Sequence, residues 1–448
     1  MTRAHPPTRS DLVKLLSEAA AVEHALCGAY LFSALSLKAS VDEGLTDHEL
    51  NHVTQWERLL LMVARQEMEH LGLVCNLLTA VGGAPTFAHP PFPYPTSLFR
   101  HEMTCTRLDR ETLMRFVCFE RPARIEPEDA FCAEGGPSRQ LAPGPGGYRT
   151  VGELYARIRE TLLALDAAGV DLFLGQARNE ITGAELGLDF PRYRAKGGVY
   201  DVFLFAISDL PSALRAIDLI IEQGEGGSGA GPRARDFLAA AAARDGGLPE
   251  DPPMNPPHYR VFLQLLAELD ALTRANPSFE PSRRVVPNPR AAPRPGATVV
   301  TNPLSRAVLE LFTDAYATML LMLTRLFNHT DESVAELAEL KSAAFFPFMT
   351  MLIRPLSEIL TQLPAGDEAR PERAGPCFDA PTDLAFLPHR RAAFLLIGEQ
   401  LVGLRDRARA VSKLPGAPAR VAYVAETIDL IERRWAAVMA SGKKAVAR

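Results

Sequence analysis

The sequence contains no run of like charges, no CxxC pair and no uninterrupted apolar stretch of membrane-spanning length, and each absence removes a class of function. Lysine and arginine number 48 against 54 aspartates and glutamates, a net charge of -6, so there is no basic footprint for nucleic acid or anionic lipid and neither partner is expected. The six cysteines, Cys27, Cys75, Cys105, Cys118, Cys132 and Cys377, form no dense framework and are expected as small buried hydrophobes in a reducing compartment. The opening MTRAHPPTRSDLVKLL lacks a continuous apolar core followed by a small-residue cleavage site, which leads to the expectation of a cytoplasmic protein.

What is present is ordinary for a soluble globular chain: 448 residues, 47% hydrophobic and 23% charged. A single core stops growing near roughly 250 to 300 residues, so one large domain plus a second helical layer is expected. Ser10 or Asp11 can cap a first helix running to about Lys38, with a stripe at Leu12, Leu16, Ala19, Leu26 and Tyr30. A second opens near His52 and stops at Gly82-Gly83, its stripe being Trp56, Leu60, Val63, Val74, Leu77 and Val81. A proline-rich excursion, a short helix from Arg110 to Phe119 and a proline-glycine segment make residues 85–150 an insertion. Helices resume at 150–166 behind Thr150, short strands could occupy 169–200, and third and fourth bundle helices start near Pro211 or Ser212 and at His258. This sets a helix bundle at 10–275, a proline-rich linker at 276–300 and a further helical region at 301–448.

The informative residues interrupt their own stripes. Glu23 falls where an apolar residue belongs, and Glu67 and His70 do the same on the second helix, three apart and therefore on one face. A buried ionised carboxylate costs several kcal/mol unless paired or bound to a cation, so three polar groups projecting into one core want a shared partner, and a divalent metal is one. ExxH alone is common by chance; its place on an apolar stripe beside Glu23 gives it weight. Glu69 and His24 lie off the stripes, the first expected to face solvent or stand behind the ligands, the second to sit at a surface or interface. On the later helices Glu222, Glu225 and His258 could complete a set of four carboxylates and two histidines, although Arg215, Asp218, Glu222 and Glu225 equally describe a solvated face. The glycine-rich GEGGSG at 224–229 follows a helix and lacks the GK[ST] ending of a phosphate loop.

Several stretches carry a resemblance: VEHALCGAYLFSALSLK at 22–38, ARQEMEHLGLVCNLLTAVGGAP at 64–85, VCFERP at 117–122, YRTVGELYARI at 148–158, AIDLIIEQGEG at 216–226, HYRVF at 258–262 and LIRPLSEILTQLP at 352–364. In these the chain is similar to the ferritin-like family that includes the VioB-type iminophenylpyruvate dimer synthases, the EQGEG and HY pair being the most specific part. The resemblance implies a mainly α fold, a ferritin-like four-helix bundle with long insertions and an additional C-terminal helical region. It implies metal ligation by Glu23, Glu67, His70, Glu222 and His258, with Glu225 as a sixth, holding two irons; manganese accepts the same ligands. His258 stands without a preceding ExxH glutamate, which weakens the second metal position. The activity implied is an oxidoreductase using dioxygen or a peroxide on a small imine- or enamine-like derivative of an amino acid, in secondary metabolism. A non-catalytic iron-binding or scaffold protein is the alternative, and a homo-oligomer is left open.

Overall fold

The computed structural model describes residues 6–96, 101–122, 131–132, 150–175, 180–183, 203–224, 256–381 and 387–446. Two long helices form its spine. Helix α1, Arg9–Ser36, is capped by Thr8, with Asp11 closing a capping box from the third position of the helix and not serving as the cap itself. Helix α2, Asp47–Ala80, starts at a second capping box between Thr46 and Glu49, earlier than the stripe suggested, because polar residues 47–52 extend it by more than a turn. It ends before Gly82, whose φ of 81° suits glycine.

Among the described residues, four shorter helices pack around this spine. They are α3 (Arg110–Glu120, capped by Asp109), α4 (Val151–Ala167, capped by Thr150 as expected), α5 (Leu210–Gly224) and α6 (His258–Ala275). Helices α1 and α2 pack along one another, α3 lies on α6, and α4 bridges α1 and α5, while α2 also touches α5 and α6. Of the stretch expected to hold short strands, residues 170–175 contain none and most of the remainder lies outside the described residues.

The proline-rich stretch 276–300 is extended yet packed. Arg283 donates its backbone N–H to Ser36 and its guanidinium to Glu43 and the Leu37 carbonyl, tying the segment to the end of α1. Side chains of Phe279, Ser282, Val285 and Asn288 are buried along it, and a two-residue parallel pair joins β1 (Pro289–Arg290) to β2 (Thr298–Val299). Beyond it come α7 (Pro303–Phe327), α8 (Val334–Ala343), a π-type stretch at Ala344–Ile353 containing Pro347, then α9 (Arg354–Leu360), α10 (Arg390–Val411) and α11 (Ala419–Val446). Proline lacks the N–H that a regular helical ladder needs, which accounts for the local widening. One continuous hydrophobic core runs through the bundle and these later helices, with α7 against α2 and α9 against α1.

Three expectations change. By length and composition, Arg9–Ser36, Pro303–Phe327 and Val334–Leu360 are each apolar enough to cross a membrane, with mean hydropathies of 1.2, 1.4 and 1.3; their charges are too sparse to break the runs. In α1, 89% of that apolar window is buried inside the fold. Cys118 and Cys132 are joined as a disulfide, while the other four cysteines are buried thiols. His24 is buried: its Nδ1–H donates to the Phe87 carbonyl at 2.9 Å and its Nε2 accepts from the Tyr316 hydroxyl at 2.6 Å, so it joins α1 to α7. Helix α1 is enclosed on nearly every side at this level, so a position off the stripe is no longer a surface position.

Candidate metal centre

Glu23 on α1, and Glu67 and His70 on α2, converge with ligand atoms within 4.8 Å of one another, and Glu67, Glu120 and His258 form a second such group; all five side chains are buried. Glu67 belongs to both groups. Its Oε2 lies 3.3 Å from His70 Nδ1, and its Oε1 lies 2.8 Å from His258 Nδ1. Each histidine also faces an outer carboxylate at 3.6 Å, Glu23 for His70 and Glu120 for His258. The imidazole rings stack with centroids 5.5 Å apart.

A further layer repeats the same twofold pattern. Tyr155 of α4 donates its hydroxyl to Glu23 at 2.5 Å, and Tyr30 of α1 donates to Glu120. His70 Nε2 meets Gln223 Oε1 at 2.8 Å, and His258 Nε2 meets Gln66 Oε1 at 3.1 Å. Every outer oxygen and every outer ring nitrogen is thus occupied, and the remaining lone pairs point inward.

The electrostatics record an enclosed excess of negative charge. Burial, and then the charge of Glu67, pushes the Glu23 carboxyl up to about 8. Burial would also raise Glu67, but the charge of His258 and the close approach of both imidazoles outweigh it and hold Glu67 below the usual carboxylate range. For His258 burial pulls downward, yet Glu67 and Glu120 prevail and lift it to about 9; His70 is likewise raised well above its ordinary value by Glu23 and Glu67.

These residues fit a cation. Glu67 Oε1 and His258 Nδ1 are buried and engaged in no hydrogen bond, although they face each other. In the ionisation state that metal ligation requires, three carboxylates with two neutral imidazoles carry a charge of -3, which one divalent ion brings to -1 and two bring to +1. Carboxylate oxygen with imidazole nitrogen is a donor set for iron or manganese.

The structure therefore brings together Glu23, Glu67, His70 and His258 from the sequence expectation. It does not bring Glu222, whose side chain is 39% exposed and lies 3.9 Å from Arg215, in neither group. Successive helical residues point about 100° apart, so on α5 it is Gln223, the next residue, that turns toward His70. Glu225 lies outside the described residues. Glu69 is buried, not solvent-facing: it is 3.5 Å from Arg65, and burial raises its carboxyl to about 7. Glu120 was missed, although it continues the buried series Leu113, Phe116, Val117 on α3, as Glu23 does on α1, and lies within VCFERP.

Comparison with known proteins places the chain. A family model described as Ferritin-like matches residues 16–267. Dichlorochromopyrrolate synthase of Lentzea aerocolonigenes is 28% identical over 92% of this chain, which covers 40% of that protein. The 2-imino-3-(indol-3-yl)propanoate dimerase of Chromobacterium violaceum is 30% identical over 72% of this chain and 28% of its own length. The chain thus spans less than half of either relative. A solved ferritin-like protein from Caulobacter vibrioides is 18% identical, covering 76% of this chain and 97% of its own, with a TM-score of 0.43.

Proposed function

Because the chain belongs to the Ferritin-like family, we propose that it is an oxidoreductase that holds two metal ions, iron in the first place and manganese as the substitute, at Glu23, Glu67, His70, Glu120 and His258. The observation that carries this reading is Glu67, which turns one oxygen toward each histidine while each imidazole has its outer nitrogen on a glutamine. Glu67 would thus be shared by two half-sites, each with one further carboxylate and one imidazole nitrogen. When bound, the metal pair would supply electron transfer.

The chain's own residues would do the rest. Tyr30 and Tyr155 hold the outer carboxylate oxygens, so the other oxygen of Glu120 and of Glu23 is directed inward. The buried ligand shell keeps bulk water from the reacting centre, which strengthens every charge interaction inside it. The substrate class is taken from the relatives, whose names describe a dichlorochromopyrrolate synthase and a dimerase of an indolyl imino acid. We extend to this chain a small imine or enamine derived from an amino acid. Joining two such molecules at carbon releases two electrons and two protons, which dioxygen or a peroxide would accept.

Metal analysis after iron-replete expression, followed by oxygen uptake with imino acids generated in situ, tests the reading. About two irons per chain and substrate-dependent oxygen uptake are expected. A metal-free protein would refute the site. Bound iron with neither oxygen uptake nor peroxide consumption on any imino acid would leave a binding protein and remove the enzyme.

A further inference from the structure

Resting on that metal-site reading, we infer that Gln66 and Gln223 are paired positioning residues that lock His258 and His70 in the tautomer able to bind a cation through Nδ1. A neutral imidazole carries one N–H and one lone pair, and which nitrogen holds the proton is set by the partner of the other. Both histidines direct Nδ1 at the carboxylates of the cluster. Both direct Nε2 at a side-chain amide oxygen, Gln223 at 2.8 Å and Gln66 at 3.1 Å. An amide oxygen can only accept, so it keeps a proton on Nε2 and makes Nδ1 the nitrogen that can offer a lone pair to a cation. The reverse tautomer would put an N–H on Nδ1, where it could satisfy a carboxylate but could not bind an ion.

The two locks differ in setting. Gln66 neighbours Glu67, so α2 supplies the shared carboxylate, one ligating histidine and the lock for the other histidine. His258 and Gln66 are 0% and 4% exposed, an enclosed pair. Gln223 sits one residue from the end of α5 and is only partly buried. The His258 Nε2–H is therefore the better shielded of the two. An amide also leaves the imidazole neutral, whereas a carboxylate in its place would pull the ring toward imidazolate and raise its basicity. Of the described residues of EQGEG, it is the uncharged Gln223 that reaches the cluster and not Glu222.

Cobalt(II) titration of the full chain, with proton NMR of the loaded protein, tests this without any turnover. Wild type should show two exchangeable, hyperfine-shifted Nε2–H resonances, the His258 signal exchanging more slowly with solvent than that of His70. Gln223→Met, which keeps volume and removes the acceptor, should weaken one cobalt position about 10- to 100-fold and broaden one resonance, leaving the other position intact; Gln66→Met should do so at the opposite position. Gln223→Glu, which still accepts, should restore binding. Wild type binding two cobalts with no protected Nε2–H signal would overturn the locks even if both Met variants failed to fold. So would a folded Gln223→Met with unchanged affinity. A wild type that binds no cobalt would instead overturn the metal site itself.

Discussion

Buried charge is handled in opposite ways in the two regions of this molecule. In the C-terminal helices, Arg325 is 2% exposed and every nitrogen of its guanidinium has a protein partner: Glu332, the Leu387 and Pro388 carbonyls, and Thr330. In the bundle, Glu67 and His258 are equally buried, yet Glu67 Oε1 and His258 Nδ1 make no hydrogen bond. Folding could have satisfied the second cluster as thoroughly as the first. A buried polar group surrounded by partners stiffens a core, whereas one left open inside an otherwise satisfied shell marks the place for a ligand. The outer layer of the bundle cluster, two phenols and two amides, holds the far side of the outer carboxylates and of both imidazoles, so that Nδ1 of each histidine faces the carboxylates inside.

Substitutions can break this contrast, beginning with the largest effect. Glu67→Ala removes the one residue common to both groups, and bound metal should fall from about two ions per chain to none with helical circular dichroism unchanged. Arg325→Met should do the reverse: it strands buried Glu332 and should lower stability by about 3–5 kcal/mol in denaturant titration, with metal content intact. Glu120→Ala should halve the metal, because only the His258 group contains it, while Glu222→Ala should leave it unchanged.

The smallest effect concerns Glu180, a buried carboxylate outside the cluster that accepts the Ile207 N–H. Burial pushes its carboxyl up to about 7 from 4.5, so between these values the folded chain holds a proton that the unfolded chain releases. Its stabilising contribution is complete below about pH 4.5 and is lost as pH rises through about 7. Glu180→Gln should flatten that fall in a pH series of unfolding midpoints; an unchanged slope would contradict the assignment.

The long helices were legible because their stripes are long. Three or four apolar repeats on either side make Glu23, Glu67 and His70 stand out, and the fold class follows from the same periodicity together with the resemblance. Glu120 sits at the last position of an 11-residue helix, where a polar residue normally marks the edge of burial. Gln66 and Gln223 carry no charge, so an argument from the cost of burying ions passes over them. Glu222 and Gln223 are neighbours on a short helix, and only the packed orientation of α5 decides which one faces inward. The Cys118–Cys132 pair, 14 residues apart, has no motif to announce it.

Anomalous diffraction at the iron edge, from crystals of the full chain grown with ferrous iron, would locate the metal against these side chains. Two peaks are expected, one beside Nδ1 of His70 and one beside Nδ1 of His258, with Glu67 between them. Absence of any peak there, with both imidazoles hydrogen-bonded straight to Glu67, would contradict the metal site.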